Sequence, residues 1–126
     1  MIVPPRHPWA RRREIAPREL GRTPLLMREQ GSATRQVTER TLRHAGVKFA
    51  TAMELDHVEA IKQAVMAGLG VAFVSVHAVR GELATRRLHA VRLKGLRVRR
   101  HFHVIQNEVR TLTASGQAFM AMLEGS

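Results

Sequence analysis

Five consecutive residues, Gly31-Ser32-Ala33-Thr34-Arg35, combine a glycine backbone, two hydroxyls and a guanidinium. At the start of a helix such a group suits a carboxylate or phosphate, because unpaired N–H groups and the positive end of the helix dipole face outward there. Ser32 also has a plainer role as the helix N-cap, and the two roles are compatible. Arg28, just before this loop, adds a cation; its plainer role is a solvated charge at a strand edge. Ser75 and His77 form a second group. They close the apolar run Val71-Ala72-Phe73-Val74, and ligands of open α/β sheets sit outside the carboxyl ends of the strands. A protonated His77 would lend an anion a charge-assisted hydrogen bond. A lone histidine at a strand end is more often an ordinary surface or helix-start residue.

Other constellations carry less. His101 and His103 would share one face of a strand, but no third ligand or supporting shell accompanies them, so no metal site is expected. Asp56 and Glu59 are spaced as a capping box rather than as a general acid and base. Cysteine is absent, which removes disulfides, thiolate ligands and thiol nucleophiles together. No nucleophile elbow, P-loop or dinucleotide glycine fingerprint occurs. We therefore assign no catalytic residue and no cofactor, and expect the chain not to be an enzyme.

The elements that must position these residues follow from periodicity. Met1 to Val3 reads as a short strand running into a Pro-rich turn, and Ala16 to Leu20 as a helical turn begun by Pro17. Pro24 to Met27 is a buried strand. A helix starts at Ser32, shows Val37, Thr41, Leu42 and Ala45 at helical spacing, and stops at Gly46. Val47, Phe49, Thr51, Met53 and Leu55 alternate as in a strand. Asp56 opens a second helix with Val58, Ile61, Val65 and Leu69 on one face, ended by Gly68 and Gly70. Val71 to Val76 is a buried strand, His77 to Leu83 a short helix and Leu88 to Leu93 a strand before a turn at Gly95. Arg99 to Gln106 alternates again. Thr111 or Thr113 caps a last helix bearing Ala118, Phe119, Met122 and Leu123. Strand, helix and strand with short links predict an α/β fold of three layers, a mostly parallel sheet flanked by helices.

Charge is the one compositional extreme. Lys plus Arg number 21 against 10 acids, for a net charge of +11, a field that attracts small anions and polyanions alike. Aromatic residues are only 4% of the chain, a poor supply for a stacking platform for single strands. The basic clusters are Arg11 to Arg13, Arg86-Arg87 and Arg97 to Arg100, and most of this charge reads as solvated surface. No apolar run approaches the roughly 20 residues of a membrane span. The start, Met1-Ile2-Val3-Pro4-Pro5, does not read as a secretory signal. The expected location is the cytoplasm.

The order of four stretches resembles one family. They are His7-Pro8-Trp9-Ala10, Arg28 to Arg35, Glu59 to Gly70, and Leu112-Thr113-Ala114-Ser115-Gly116-Gln117-Ala118-Phe119. Together they look like the sensor domain of LysR-type transcription regulators. Ile61 to His77 resembles more particularly the regulators of Calvin-cycle, RuBisCO-encoding operons, although Phe102 stands where that group tends to carry a tryptophan before the histidine.

The resemblance implies a periplasmic-binding-protein-like fold. Residues 1–12 would be a crossover strand and hinge, 13–100 an effector-binding subdomain II, and 101–126 the return strand and C-terminal helix of subdomain I. It implies a small anionic metabolite in the cleft, such as a phosphorylated sugar or nicotinamide nucleotide, held by Ser32, Thr34, Arg35, Arg28, Ser75 and His77. DNA would be contacted only through a helix-turn-helix missing from this chain. The apolar face of the last helix should dock on a neighbouring copy, fold back on its own sheet or be poorly ordered, since each such side chain gains roughly 1.5–3 kcal/mol on burial. Two alternatives stand beside this reading: a solute-binding-protein fragment of the same fold, and a basic module that binds nucleic acid through charge alone.

Overall fold

The computed structural model describes residues 1–107 and 111–124. A βαβαβ unit forms its centre. Strand β1 is Ile2–Val3 and β2 is Glu14–Ile15; a 3-10 helix over Pro17–Arg22 leads into β3, Leu25–Arg28. Helix α1 (Ala33–His44) connects β3 to β4 (Thr51–Leu55), and α2 (Val58–Met66) connects β4 to β5 (Val71–Ala72). A 3-10 turn at Val76–Val79 and α3 (Arg80–Ala84) precede β6 (His89–Ala90) and β7 (Arg92–Leu93), and α4 spans Ala114–Glu124.

The main sheet has the order β4-β3-β5-β1-β6, beside a two-stranded sheet β2-β7. β3 runs parallel to both β4 and β5, and β2 parallel to β7. β1 is the exception, antiparallel to β5 and β6. Side-chain alternation sends successive residues to opposite faces. Val3, Leu25, Met27 and Val71 join Leu42 of α1 on one side, whereas Ile2, Leu26 and Ala72 join Ile61 and Val65 of α2 on the other. One helix thus covers each face, giving the three layers expected. No described helix is long and apolar enough to cross a membrane.

Helix α1 ends as the sequence suggests. Gly46 takes φ +65°, its N–H donates to Arg43 O at 3.0 Å, and Val47 N–H donates to Leu42 O at 2.9 Å. This paired closure satisfies two terminal carbonyls and brings Val47 against Leu42 in the core. The 3-10 turn begins at Pro17 as expected, with Glu19 Oε1 accepting from the Ala16 N–H at 2.9 Å.

Several local expectations are corrected. The capping box at Asp56 and Glu59 is absent: His57 is the N-cap and no side chain caps α2. The helix starts one residue later, so Glu59 faces Lys62 (2.7 Å) and Gln63 (2.9 Å) instead. Leu69 lies beyond the helix end and is 51% exposed rather than on the buried face. Only Thr51–Leu55 of the 47–55 alternation forms a ladder, and it is the edge strand of the sheet, exposed over most of its length. The 88–93 strand divides at Val91, β6 joining one sheet and β7 the other. Residues 101–107 form no strand among the described residues and are exposed; a strand is defined by a ladder, and periodicity alone does not supply one. Of the return segment 101–126, residues 108–110 and 125–126 lie outside the described residues. On α4, Phe119, Met122 and Leu123 are 61%, 72% and 44% exposed, so this face is not folded back on the sheet.

Candidate functional site

The chain order reverses between β3 and β5. From β3 the path goes through α1 outward to β4, then returns through α2 to β5 on the other side. A crevice opens outside the carboxyl ends of two strands whose connections diverge in this way. β3 delivers the loop that starts α1, and β5 delivers Phe73 to His77. A cleft of about 620 Å³ lies there, and Thr34, Ser75 and His77 all line it.

Helix α1 has Ser32 at its N-cap, but the Ser32 side chain makes no cap hydrogen bond. The expected capping bond is thus missing, because the hydroxyl does not turn back onto the first helical turn. Thr34 Oγ1 accepts from Arg100 Nη1 at 3.4 Å. Across the cleft, Ser75 Oγ accepts from the His77 N–H at 3.3 Å and starts the 3-10 turn, while His77 Nδ1 meets Arg80 Nη2 at 2.9 Å. Lys62, nine-tenths buried, reaches this corner from α2 through Glu82 (2.6 Å) and the Ala78 carbonyl (3.4 Å).

The arginines named from sequence are engaged elsewhere. Arg35 Nε donates to Glu39 at 2.8 Å, and its Nη1 donates to the Arg28 carbonyl at 2.9 Å and to Glu54. It lines a separate crevice with Glu39, Arg43 and Phe49. Glu39 and Glu54 hold its guanidinium above the ordinary arginine value, and Arg35 in turn holds Glu54 below the usual carboxylate range. Arg28 makes a two-point pair with Glu29, at 2.7 and 3.0 Å. Neither Arg28, Ser32 nor Arg35 lines the cleft.

The cations that do line it are Arg92, Arg97, Arg99 and Arg100, with no Asp or Glu lining it among the described residues. The Arg97–Arg100 cluster was visible in the sequence as a run of charge, but its place opposite Ser75 was not. The apolar floor comes from Met1, Val37, Phe73 and Leu93. His101 and His103 are exposed, and among the described residues no three metal-ligating side chains gather. A hydroxyl-bearing cleft with an apolar floor and an arginine rim can orient a small anion; it holds no nucleophile paired with a base.

This is the fold of a ligand-binding domain. Residues 1–126 match the LysR substrate binding domain, and the chain belongs to that family. It is 43% identical over 126 residues to the HTH-type transcriptional regulator CbbR of Xanthobacter flavus, covering 98% of this chain and 38% of that protein. The RuBisCO operon transcriptional regulator of Allochromatium vinosum is 38% identical over 119 residues, covering 94% of this chain and 39% of that protein. The chain thus spans about two fifths of the length of these relatives, which are transcription regulators and not enzymes. The regulatory domain of Synechocystis PCC6803 CcmR, in complex with 2-PG, superposes with a TM-score of 0.86 at 28% identity, covering 98% of this chain and 60% of that one. The effector binding domain of QuiR, in complex with shikimate, shares the fold with a TM-score of 0.71 at 13% identity.

Proposed function

We propose that this chain is the effector-sensing portion of a LysR-type transcription regulator and binds a small anionic metabolite in the cleft between β3 and β5. The supporting observation is the cleft itself, where Thr34, Ser75 and His77 face four arginines and no acidic residue lines it among the described residues. Of the six residues named from sequence, Thr34, Ser75 and His77 remain the contact set. Ser32 is a neighbour at the start of α1, and Arg35 and Arg28 brace the loop through their carboxylate partners. CcmR carries 2-PG in a domain of this fold, which favours a phosphorylated effector here.

Residues 1–12 act as the crossover and hinge, 13–100 as subdomain II, and 101–126 as the return to subdomain I. The intact regulator works in the cytoplasm, and an effector that favours one subdomain arrangement shifts the population and retunes DNA contacts. Those contacts belong to a helix-turn-helix outside these residues. Self-association, in part through α4, completes the reading, supported by the exposure of Phe119 and Met122. Isothermal calorimetry of the intact regulator with 2-PG, phosphorylated sugars and nicotinamide nucleotides tests it. Saturable heat for one of them, abolished by competition with another, is the expected result; no heat from any of them defeats the reading.

A further inference from the structure

Arg100 occupies an unusual place. Its Nη1 donates to Thr34 Oγ1 at 3.4 Å, joining residues 66 positions apart in sequence. Its guanidinium carbon lies 4.2 Å from the centroid of the Phe102 ring. Phe102 is itself 77% exposed, so the ring is held by no core. The stacked pair belongs to the segment that leaves the domain after β7, whereas Thr34 belongs to α1. Within the described residues no carboxylate pairs with Arg100, unlike Arg28 and Arg35.

We propose that Arg100 is a specificity-determining residue of the cleft, its guanidinium presenting a flat, two-pronged face to the effector's anionic group while tying the return segment to α1. Stacking on Phe102 restrains the plane of the guanidinium. Thr34 takes one of its five N–H donors, which leaves adjacent donors free for two parallel bonds to a phosphate or carboxylate. A lysine at this position keeps the charge but loses both the fork and the stack. An anion held by the free donors of Arg100, beside Thr34, would therefore fix the 97–102 segment against subdomain II, and occupancy of the cleft becomes the position of that segment. The inference rests on the cleft reading above and adds to it a named residue and a geometry.

The test is calorimetry on the intact regulator with 2-PG, a phosphorylated sugar and a nicotinamide nucleotide. Whichever binds the wild type is then titrated into Arg100→Lys, Arg100→Ala, Thr34→Val and the Arg100→Ala/Thr34→Val double variant. Expected losses in affinity are about 10- to 100-fold for Arg100→Ala, and nearly as much for Arg100→Lys despite its retained charge. The double variant should lose less than the product of the single losses, because the two groups share one ligand atom set. Phe102→Leu should weaken binding severalfold with unchanged melting temperature. Wild-type binding left intact by both Arg100 variants overturns the role of Arg100 while the cleft reading stands. Full recovery by Arg100→Lys also overturns it, because charge alone would then suffice. Absence of binding by the wild type overturns both.

Discussion

Lys62 Nζ lies 2.6 Å from Glu82 Oε1, joining the middle of α2 to α3. The same ammonium meets Glu59 Oε2 at 2.7 Å and donates to the Ala78 carbonyl at 3.4 Å, one residue past His77. α2 and the Ser75–His77 rim are thereby held as one unit. The Lys62 side chain is 11% exposed and that of Glu82 16%, so the pair is shielded enough to resist ordinary screening.

Replacement of Lys62 by Met should lower the melting temperature, with a defined pH dependence. Hydrogen bonds from Lys62 are the main reason that Glu59 and Glu82 sit below the usual carboxylate range, and Glu59 then Glu82 are why Lys62 sits above its ordinary value. A depressed carboxylate stabilises the fold above its ordinary pKa, and that contribution disappears as pH falls through the lowered value. A raised lysine stabilises below its ordinary pKa, and loses this as pH climbs through the raised value. Wild type should therefore exceed Lys62→Met by the widest margin between about pH 4.5 and pH 10.5, narrowing on both sides. A margin independent of pH in thermal melts would mean that the ion pairs contribute nothing.

Thr34→Val and Ser75→Ala should each weaken effector binding by about 1 kcal/mol, or roughly fivefold, because each removes one hydroxyl from the cleft wall. Thr34→Val should leave the fold untouched. Ser75→Ala should also cost some stability, since Ser75 Oγ accepts from the His77 N–H at the start of the 3-10 turn. Calorimetry and a thermal melt on the same samples separate the two effects. Unchanged affinity in both variants would place the effector elsewhere.

Gly70→Ala should destabilise the domain by roughly 1–3 kcal/mol. A Cβ at Gly70 would stand 2.5 Å from the Pro24 carbonyl oxygen and 3.1 Å from Leu26. The same carbonyl accepts from the Val71 N–H at 2.9 Å. The clash therefore strikes the β3–β5 pairing that opens the cleft. Urea unfolding with an unchanged slope would read the loss directly; a midpoint equal to wild type would show that the strands move apart freely.

Phe119→Glu combined with Met122→Glu should shift the chain towards a smaller species in analytical ultracentrifugation. Both side chains are largely exposed on one face of α4, and contiguous exposed apolar surface favours association. A wild-type chain that already sediments as a monomer at high concentration would refute this. The helix itself should persist in the variant. Its start is fixed by Thr113, whose Oγ1 accepts from the Gly116 N–H at 3.2 Å.

The local elements were legible because the signals that set them are local. Leu42 and Ala45 at helical spacing, and a glycine at position 46 where φ is positive, define α1 and its end without any partner. Val71 and Ala72 read as a buried strand because both faces of the sheet are covered. Thr34, Ser75 and His77 were reachable for the same reason: helix starts and strand ends can be found from periodicity.

Pairing and convergence were not legible. The alternation from Arg99 to Gln106 has a strand's periodicity but forms no ladder among the described residues, and periodicity cannot state whether a partner exists. Arg28 and Arg35 promised free charge until the fold set Glu29, Glu39 and Glu54 beside them. Arg100, by contrast, reached Thr34 across 66 residues. Residue type decided which groups were able to hold an anion. Only the folded chain decided which cations have carboxylates beside them among the described residues and which do not, because charge pairing depends on distance in space and not along the sequence.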